Sequence, residues 1–269
     1  SEMCIRDRPD EYRTLQPYIN LVEKMGSLYT QHYSSVKLGS FRTTFDLTYE
    51  GKLATINTTK PLFAALVKGL LTPITSNDGL NINIVNAELL AKERGILINE
   101  QRSRENVEDK PYSSFVTLRA RTSRSVSQQS RSRNASPTAS RSLQQEDDDQ
   151  IIQGFVSANR PFISRLDKFK GEFVPRGTLL ICRNFDSVGK IGYVGNVLGK
   201  AGVNIKFMNV APLHEEVEER QNEQNGEASN KEAHKEALMI LGVDGKVSED
   251  VLKELIREEG VLEASVVNF

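Results

Sequence analysis

DSVGKIGYVGNVLGKAG, from Asp186 to Gly202, places a glycine at nearly every third or fourth position. Such a run serves either a phosphate or close packing. A dinucleotide-binding unit needs G-x-G-x-x-G at a strand-to-helix turn, an acidic residue about 20 positions on and a parallel βαβ. Here the spacing begins G-x-x-G, and the next strand leads into a hairpin. Gly192, Gly195 and Gly199 therefore read as a narrow helix face for close packing against a sheet. Gly189 differs, because it sits at the turn into the helix, where a backbone N–H can face an anion.

The flanking sequence supplies the rest of the unit. TLLICRN at 178–184 is a continuous apolar strand and VNIKFMNVA at 203–211 an alternating one. EALMILGVDG gives a third strand. Ser248 is a plausible N-cap for EDVLKELIREEG, whose Val251, Leu252, Leu255 and Ile256 share a face, and VLEASVVNF closes as a fourth strand. The order β-α-β-β-α-β is the ferredoxin-like plan. It spans 177–269, with a polar, solvated hairpin insertion at about 214–235.

Upstream the reading is a mixed α+β domain over 10–176. Leu15, Ile19, Leu21, Val22, Met25 and Leu28 recur at helical spacing, with Gly26 tolerated inside the helix. SFRTTFDLTYEG alternates as a strand, answered across Glu50-Gly51 by KLATINTT as a hairpin. KPLFAALVKGLLTPI is a helix with Pro61 in its first turn, and NINIVNAELLAKERGILINEQ reads strand, helix, strand. SSFVTLRA finds its partners in 149–159 and 160–169. Between them, 122–148 is rich in Ser and Arg and nearly free of apolar residues, a composition that reads as a disordered loop. Further on, Arg165, Lys168, Lys170 and Arg176 gather around a Lys170-Gly171 turn.

Composition narrows the function classes. A chain of 269 residues suits two domains. With 38% hydrophobic and 26% charged residues and a net charge of −1, it lacks the global field of a nucleic-acid binder. Cys4 and Cys182 form neither a disulfide framework nor a metal site, which fits a reducing, cytoplasmic setting. No run matches a membrane span or a signal peptide. The first residues, SEMCIRDRP at 1–9, read as an artefactual leader. An RNA-binding ferredoxin-like module would need aromatics on its central strands, and TLLICRN and EALMILGV have none. An iron–sulfur dehydratase would need more thiolates than two cysteines supply. A stand-alone amino-acid-sensing protein stays open on these grounds.

LLICRNFDSVGKIGYVGNVLGKAGVNIKFMNV resembles the ACT domain at the C-terminus of the D-phosphoglycerate dehydrogenase family. LQPYINLVEKMGSLYTQ, YEGKLATINTTKPLFAALVKGLL and VNAELLAKERGI look like the allosteric substrate-binding domain of that family's longer form. The resemblance implies the regulatory part of an enzyme that oxidises 3-phosphoglycerate with NAD in serine biosynthesis. It places the catalytic and NAD-binding domains upstream, so this chain has no catalytic residue, metal or cofactor of its own. It implies homo-oligomers joined through ACT domains, with L-serine at their interface. Carried over, the serine site is Asn184, Asp186, Val188, Gly189 and Asn204, in which Asp186 suits the ammonium, while helix-terminal amides and Asn204 suit the carboxylate or hydroxyl. Asn184 and Asp186 could instead merely cap the helix. The family usually has Pro where this chain has Val188, and losing its fixed φ weakens preorganisation of the loop. Arg165 and Arg176 are the implied site for a phosphorylated hydroxy or keto acid, with a charge-covered strand edge as the alternative.

Overall fold

The computed structural model describes residues 9–36, 41–75, 81–103, 113–121, 150–213, 235–257 and 261–269. The leader and the two insertions, at 122–148 and 214–235, lie outside the described residues except for Pro9 and Lys235. The architecture is mixed α/β with two sheets. The chain divides into two compact units, one of Ser1–Thr30 with Phe41–Asp167 and one of Gln31–Ser40 with Lys168–Phe269.

In the first unit, α1 (Pro9–Val36) buries Leu15, Leu21, Val22, Met25 and Leu28. It crosses α2 (Lys60–Leu71), which starts with Pro61 in its first turn. The crossing explains Gly26. A Cβ there would stand 2.8 Å from both the Leu66 carbonyl oxygen and the Leu70 nitrogen, and a Cβ on Gly69 would press into the Glu23 carbonyl. Two helices approach this closely only where neither has a side chain. Thr30 Oγ1 donates to the Leu70 carbonyl at 2.8 Å, and Lys68 pairs with Glu23 at 2.9 Å, fastening the same crossing.

These helices cover the first unit's five strands of a six-stranded sheet, ordered β2 (Leu97–Arg102), β1 (Thr44–Gly51), β3 (Ser114–Arg121), β4 (Gln150–Ser157), β5 (Arg160–Leu166). Phe45, Leu47 and Tyr49 of β1 are fully buried, as their alternation requires. The hairpin expected after Glu50-Gly51 does not form. Gly51 turns with φ 69°, Lys52–Thr55 winds into a 3-10 turn that buries Leu53, and β1 pairs instead with β2 in parallel and β3 antiparallel. The strand expected in NINIV is also absent. Asn83 Oδ1 accepts from the Val85 N–H, Asn86 Oδ1 from the Asn83 N–H, and Asn86 Nδ2 donates to the Asn81 carbonyl, so asparagine side chains take the hydrogen bonds a ladder would need. The turn leads into α3 (Ala87–Glu93). β3 pairs with β4 as read, and Ala158 and Asn159, both at positive φ, turn β4 into β5.

The second unit begins at β6 (Phe169–Phe173), which contains Lys170 and Gly171; the turn lies earlier, at Asp167-Lys168, with Asp167 at φ 52°. Then follow β7 (Thr178–Phe185), α4 (Lys190–Lys200), β8 (Asn204–Ala211), β9 (Glu236–Asp244), α5 (Glu249–Arg257) and β10 (Val261–Asn268). The sheet order is β10-β7-β9-β8 and every neighbouring pair is antiparallel. Leu180 and Cys182 of β7, Met239 and Leu241 of β9, Val194 and Leu198 of α4, and Leu255 of α5 make one core. Ser248 caps α5 through the Val251 N–H, as its position suggested, whereas Ile256 is 44% exposed and leaves the expected face.

The glycine face of α4 does not pack against the sheet. A Cβ on Gly192, Gly195 or Gly199 would meet nothing within 4 Å, so the helix turns Val194, Val197 and Leu198 inward and its glycines outward.

The opposite face of the second sheet is buried as well, at Leu179, Ile181, Ile240 and Val267. His32 reaches Ser265 there, Nδ1 to Oγ at 2.6 Å, and the Gln31 side-chain amide both donates to and accepts from the main chain of Asn268. Burial, helped by the nearby Arg183 charge, pulls the His32 imidazole down to about 4.

Two outcomes follow from these contacts. Gly69→Ala should lower stability by about 1–3 kcal/mol through overpacking, while Gly195→Ala should raise it by about 0.5–1 kcal/mol, both read from urea midpoints. His32 takes up its proton later in the fold than in the unfolded chain, so the unfolded state binds more protons between about pH 6.5 and 4, and stability falls as pH drops through that window. His32→Gln should retain about 2 kcal/mol more than the parent on going from pH 7 to 4.5, compared by denaturation at both values.

Candidate functional site

β7 delivers the site at its C-terminal end. Asn184 is 3% exposed; its Nδ2 donates to the Phe185 carbonyl at 2.8 Å, while its Oδ1 is buried with no hydrogen-bond partner. A buried acceptor left unpaired costs about 1–3 kcal/mol, so this amide is held ready for a donor rather than spent as a helix cap. Asp186 follows, exposed, with its backbone N–H bonded to the Lys235 carbonyl at 2.6 Å. That bond ties the loop to the start of β9.

Val188 is fully exposed, and Gly189 begins α4 in the left-handed region at φ 88°. Only glycine adopts that conformation without strain. Because Gly189 has no side chain and the first turn of α4 holds no acidic residue, the first amides of the helix have no side-chain cap from within it. The loop thus gathers an unpaired amide oxygen, a carboxylate and a helix N-terminus, the complement of a small zwitterion.

Asn204 does not join them. It is exposed at the start of β8 and pairs with Asp244, whereas Phe185 pairs with Glu236 at the other end of β9. Nine residues of β9 separate those ends, about 25 Å at ~3.3 Å per residue. The structure brings together Asn184, Asp186, Val188 and Gly189 and leaves Asn204 at the far end of the same sheet.

Arg165 lies on β5 in the first unit, where its Nε donates to the Asp167 carbonyl at 2.7 Å. Arg176 is exposed in the second unit, between β6 and β7. Lys170 is exposed on β6, with its N–H on the Pro212 carbonyl.

The sequence reading missed a charged cluster beneath the loop. Arg183, one residue before Asn184, bonds Glu263 of β10 at 2.7 Å and stands 3.6 Å from Glu236 of β9. Lys168 Nζ approaches the same Glu236 carboxylate at 2.9 Å. These four side chains are 22–31% exposed. The available signal was Arg183 itself, a charge at the end of an otherwise apolar strand.

The glycine run does not fit a nicotinamide dinucleotide. β7 and β8 run in the same direction, but β9 lies between them, so the glycine run sits in no adjacent parallel βαβ. Among the described residues no group of three His, Cys, Asp or Glu side chains could hold a metal, and burial pushes the Cys182 thiol up to about 12. No helix among them is long and apolar enough to cross a membrane.

Comparison with known proteins finds similarity to one group of enzymes. Residues 14–133 match the family described as the D-3-phosphoglycerate dehydrogenase intervening domain. Beyond that segment, the chain is similar along nearly its whole length to a D-3-phosphoglycerate dehydrogenase of Archaeoglobus fulgidus, 30% identical over 261 residues, which is 97% of this chain and 40% of the relative. The Methanocaldococcus jannaschii enzyme of that name is 28% identical over 95% of this chain and 38% of its own length. D-3-phosphoglycerate dehydrogenase 3, chloroplastic, of Arabidopsis thaliana is 28% identical over 90% of this chain and 35% of its own length. The chain therefore spans well under half the length of these relatives. Together these matches make the chain similar to part of the D-3-phosphoglycerate dehydrogenases.

Proposed function

We propose that this chain is the regulatory portion of a D-3-phosphoglycerate dehydrogenase, and that its second unit is an ACT domain of ferredoxin-like plan that senses L-serine where two copies meet. The oxidation of 3-phosphoglycerate with NAD, the reaction of serine biosynthesis, belongs in this reading outside the described residues. The observation that carries it is the separation of Asn204 from the β7–α4 loop.

β8 is the last strand of its sheet and exposes Phe207 and Val210, while β6 lies against its C-terminal part through Asn209 Nδ2 on the Glu172 carbonyl and a bridge between Phe169 and Leu213. The part of such an edge that β6 leaves uncovered can pair with another strand. If two β8 strands pair antiparallel about a two-fold axis, each start lies beside the other's end. The second copy's Asn204 then sits near Ala211, at the end of the sheet where Asn184, Asp186 and Gly189 are gathered. The pair completes a site that one chain holds only in halves. In that site Asp186 takes the serine ammonium, the α4 amides take the carboxylate, and Asn184 Oδ1 and the second copy's Asn204 take the remaining donors and acceptors. Arg165 and Arg176 keep the proposed role of binding a phosphorylated hydroxy or keto acid, which the basic character of both supports.

Titration calorimetry of the full chain with L-serine should show saturable heat with two sites per dimer, and D-serine should bind far more weakly. Asp186→Ala should weaken L-serine by roughly 10-fold to 150-fold, the range for losing a hydrogen bond to a charged group at about 1.5–3 kcal/mol. Asn204→Ala should weaken it without changing the fold. No heat at millimolar L-serine, with the dimer intact by light scattering, would remove the serine assignment.

A further inference from the structure

We propose that the Lys168, Arg183, Glu236 and Glu263 cluster holds the β7–α4 loop in its binding geometry, with Glu236 as the positioning residue. This rests on the site reading above and assigns a role to residues that touch no ligand.

The argument starts from where Glu236 sits. It is the first residue of β9, directly after Lys235, whose carbonyl accepts the Asp186 N–H at 2.6 Å. Its carboxylate meets Lys168 Nζ at 2.9 Å and Arg183 Nη1 at 3.6 Å, and Arg183 in turn holds Glu263 at 2.7 Å. One carboxylate thereby links the chain entering β6, the end of β7 and the start of β9, and Arg183 extends the link to β10. The strand ends on which the loop is mounted are joined through charge rather than through apolar packing.

The cluster is also unevenly satisfied. Arg183 Nε and Glu236 Oε2 are both buried without a hydrogen bond, although the two side chains stand 3.6 Å apart. The Lys168 contact to Oε2 is thus an ion pair out of hydrogen-bond alignment. Charge attraction tolerates that misalignment while a hydrogen bond does not, so the cluster fixes the position of β9's first residue. Neutralising Glu236 would leave Lys168 and Arg183 facing each other with one fewer anion between them, and the start of β9 would loosen together with its bond to Asp186.

Two readouts on the full chain test this. The first needs no ligand: in Glu236→Gln the Asp186 amide should exchange with solvent about tenfold faster than in the parent, with Leu255→Ala, in the core on the other face of the sheet, as a control that lowers stability without touching the cluster. The second is L-serine affinity, which should weaken about tenfold in Glu236→Gln and recover to within twofold of the parent in Lys168→Arg, where the charge is kept. Should Glu236→Gln fail to fold, Lys168→Met removes the other partner and is read in the same two ways. Asp186 exchange that tracks global stability alone, as in Leu255→Ala, would overturn the proposal. If the parent binds no serine, the loss falls on the serine assignment, and Asp186 exchange by itself still decides the positioning role.

Discussion

β7 is hydrogen-bonded on both sides, to β10 and to β9, and its two faces are buried at Leu180 and Cys182 on one and Leu179 and Ile181 on the other. A strand so enclosed cannot slip in register, because a shift of one residue would exchange its faces and send Arg183 into the apolar core. The position of every candidate residue in the second unit follows from that constraint. It puts Asn184 at a strand end where the chain must leave the sheet, turns Gly189 into α4, and through β9 fixes the start of β8 at the opposite end. The distance between the loop and Asn204 is a property of the ladder.

The first unit depends on a different kind of restriction. Gly26 and Gly69 let α1 and α2 approach until main chain lies against main chain, and the sheet beneath receives Phe45, Leu47 and Tyr49 from β1 and Val116 and Leu118 from β3. Tyr29 links helix to sheet, its hydroxyl donating to Gln150 and accepting from the Arg42 N–H, with burial raising its pKa. Asp46 Oδ2 in the same unit is buried without a hydrogen bond too, but it faces Arg121 as an ion pair. In the second unit the Asn184 oxygen is unspent, and the contrast separates a structural polar contact from one suited to a ligand.

Much of the second unit was legible in its sequence because each element announces itself locally: an unbroken apolar run for β7, alternation for β8, a capping serine before α5. What failed were judgements about neighbours. The glycines of α4 looked like a packing face, yet periodicity reports only that residues share a side and not which side faces in; Val194, Val197 and Leu198 won the interior because they have area to bury. In the first unit the hairpin after Gly51 was a fair reading of alternation and a glycine, but the partner of β1 comes from Leu97–Arg102, and pairing at that separation leaves no local trace. NINIV has the alternation of a strand, and its asparagines fold it into a turn. For the candidate site, the loop residues were named from their chemistry and from the family resemblance. The charges beneath them were not, since Glu236 and Glu263 meet Arg183 only once three strands have been brought side by side.

The outward glycines of α4 carry one more implication. Gly192, Gly195 and Gly199 each make the helix poorer by about 0.8–1.0 kcal/mol relative to alanine, and none recovers the loss through contact. A helix of eleven residues with that handicap leans on Val194, Val197 and Leu198, so its opening costs less than opening the sheet below it. One of its ends begins at Gly189, which is exposed. A molecule held by those first amides would suppress the opening of α4 and quench its fluctuations, and its arrival could be communicated as a change in entropy while the mean positions of the atoms stay where they are.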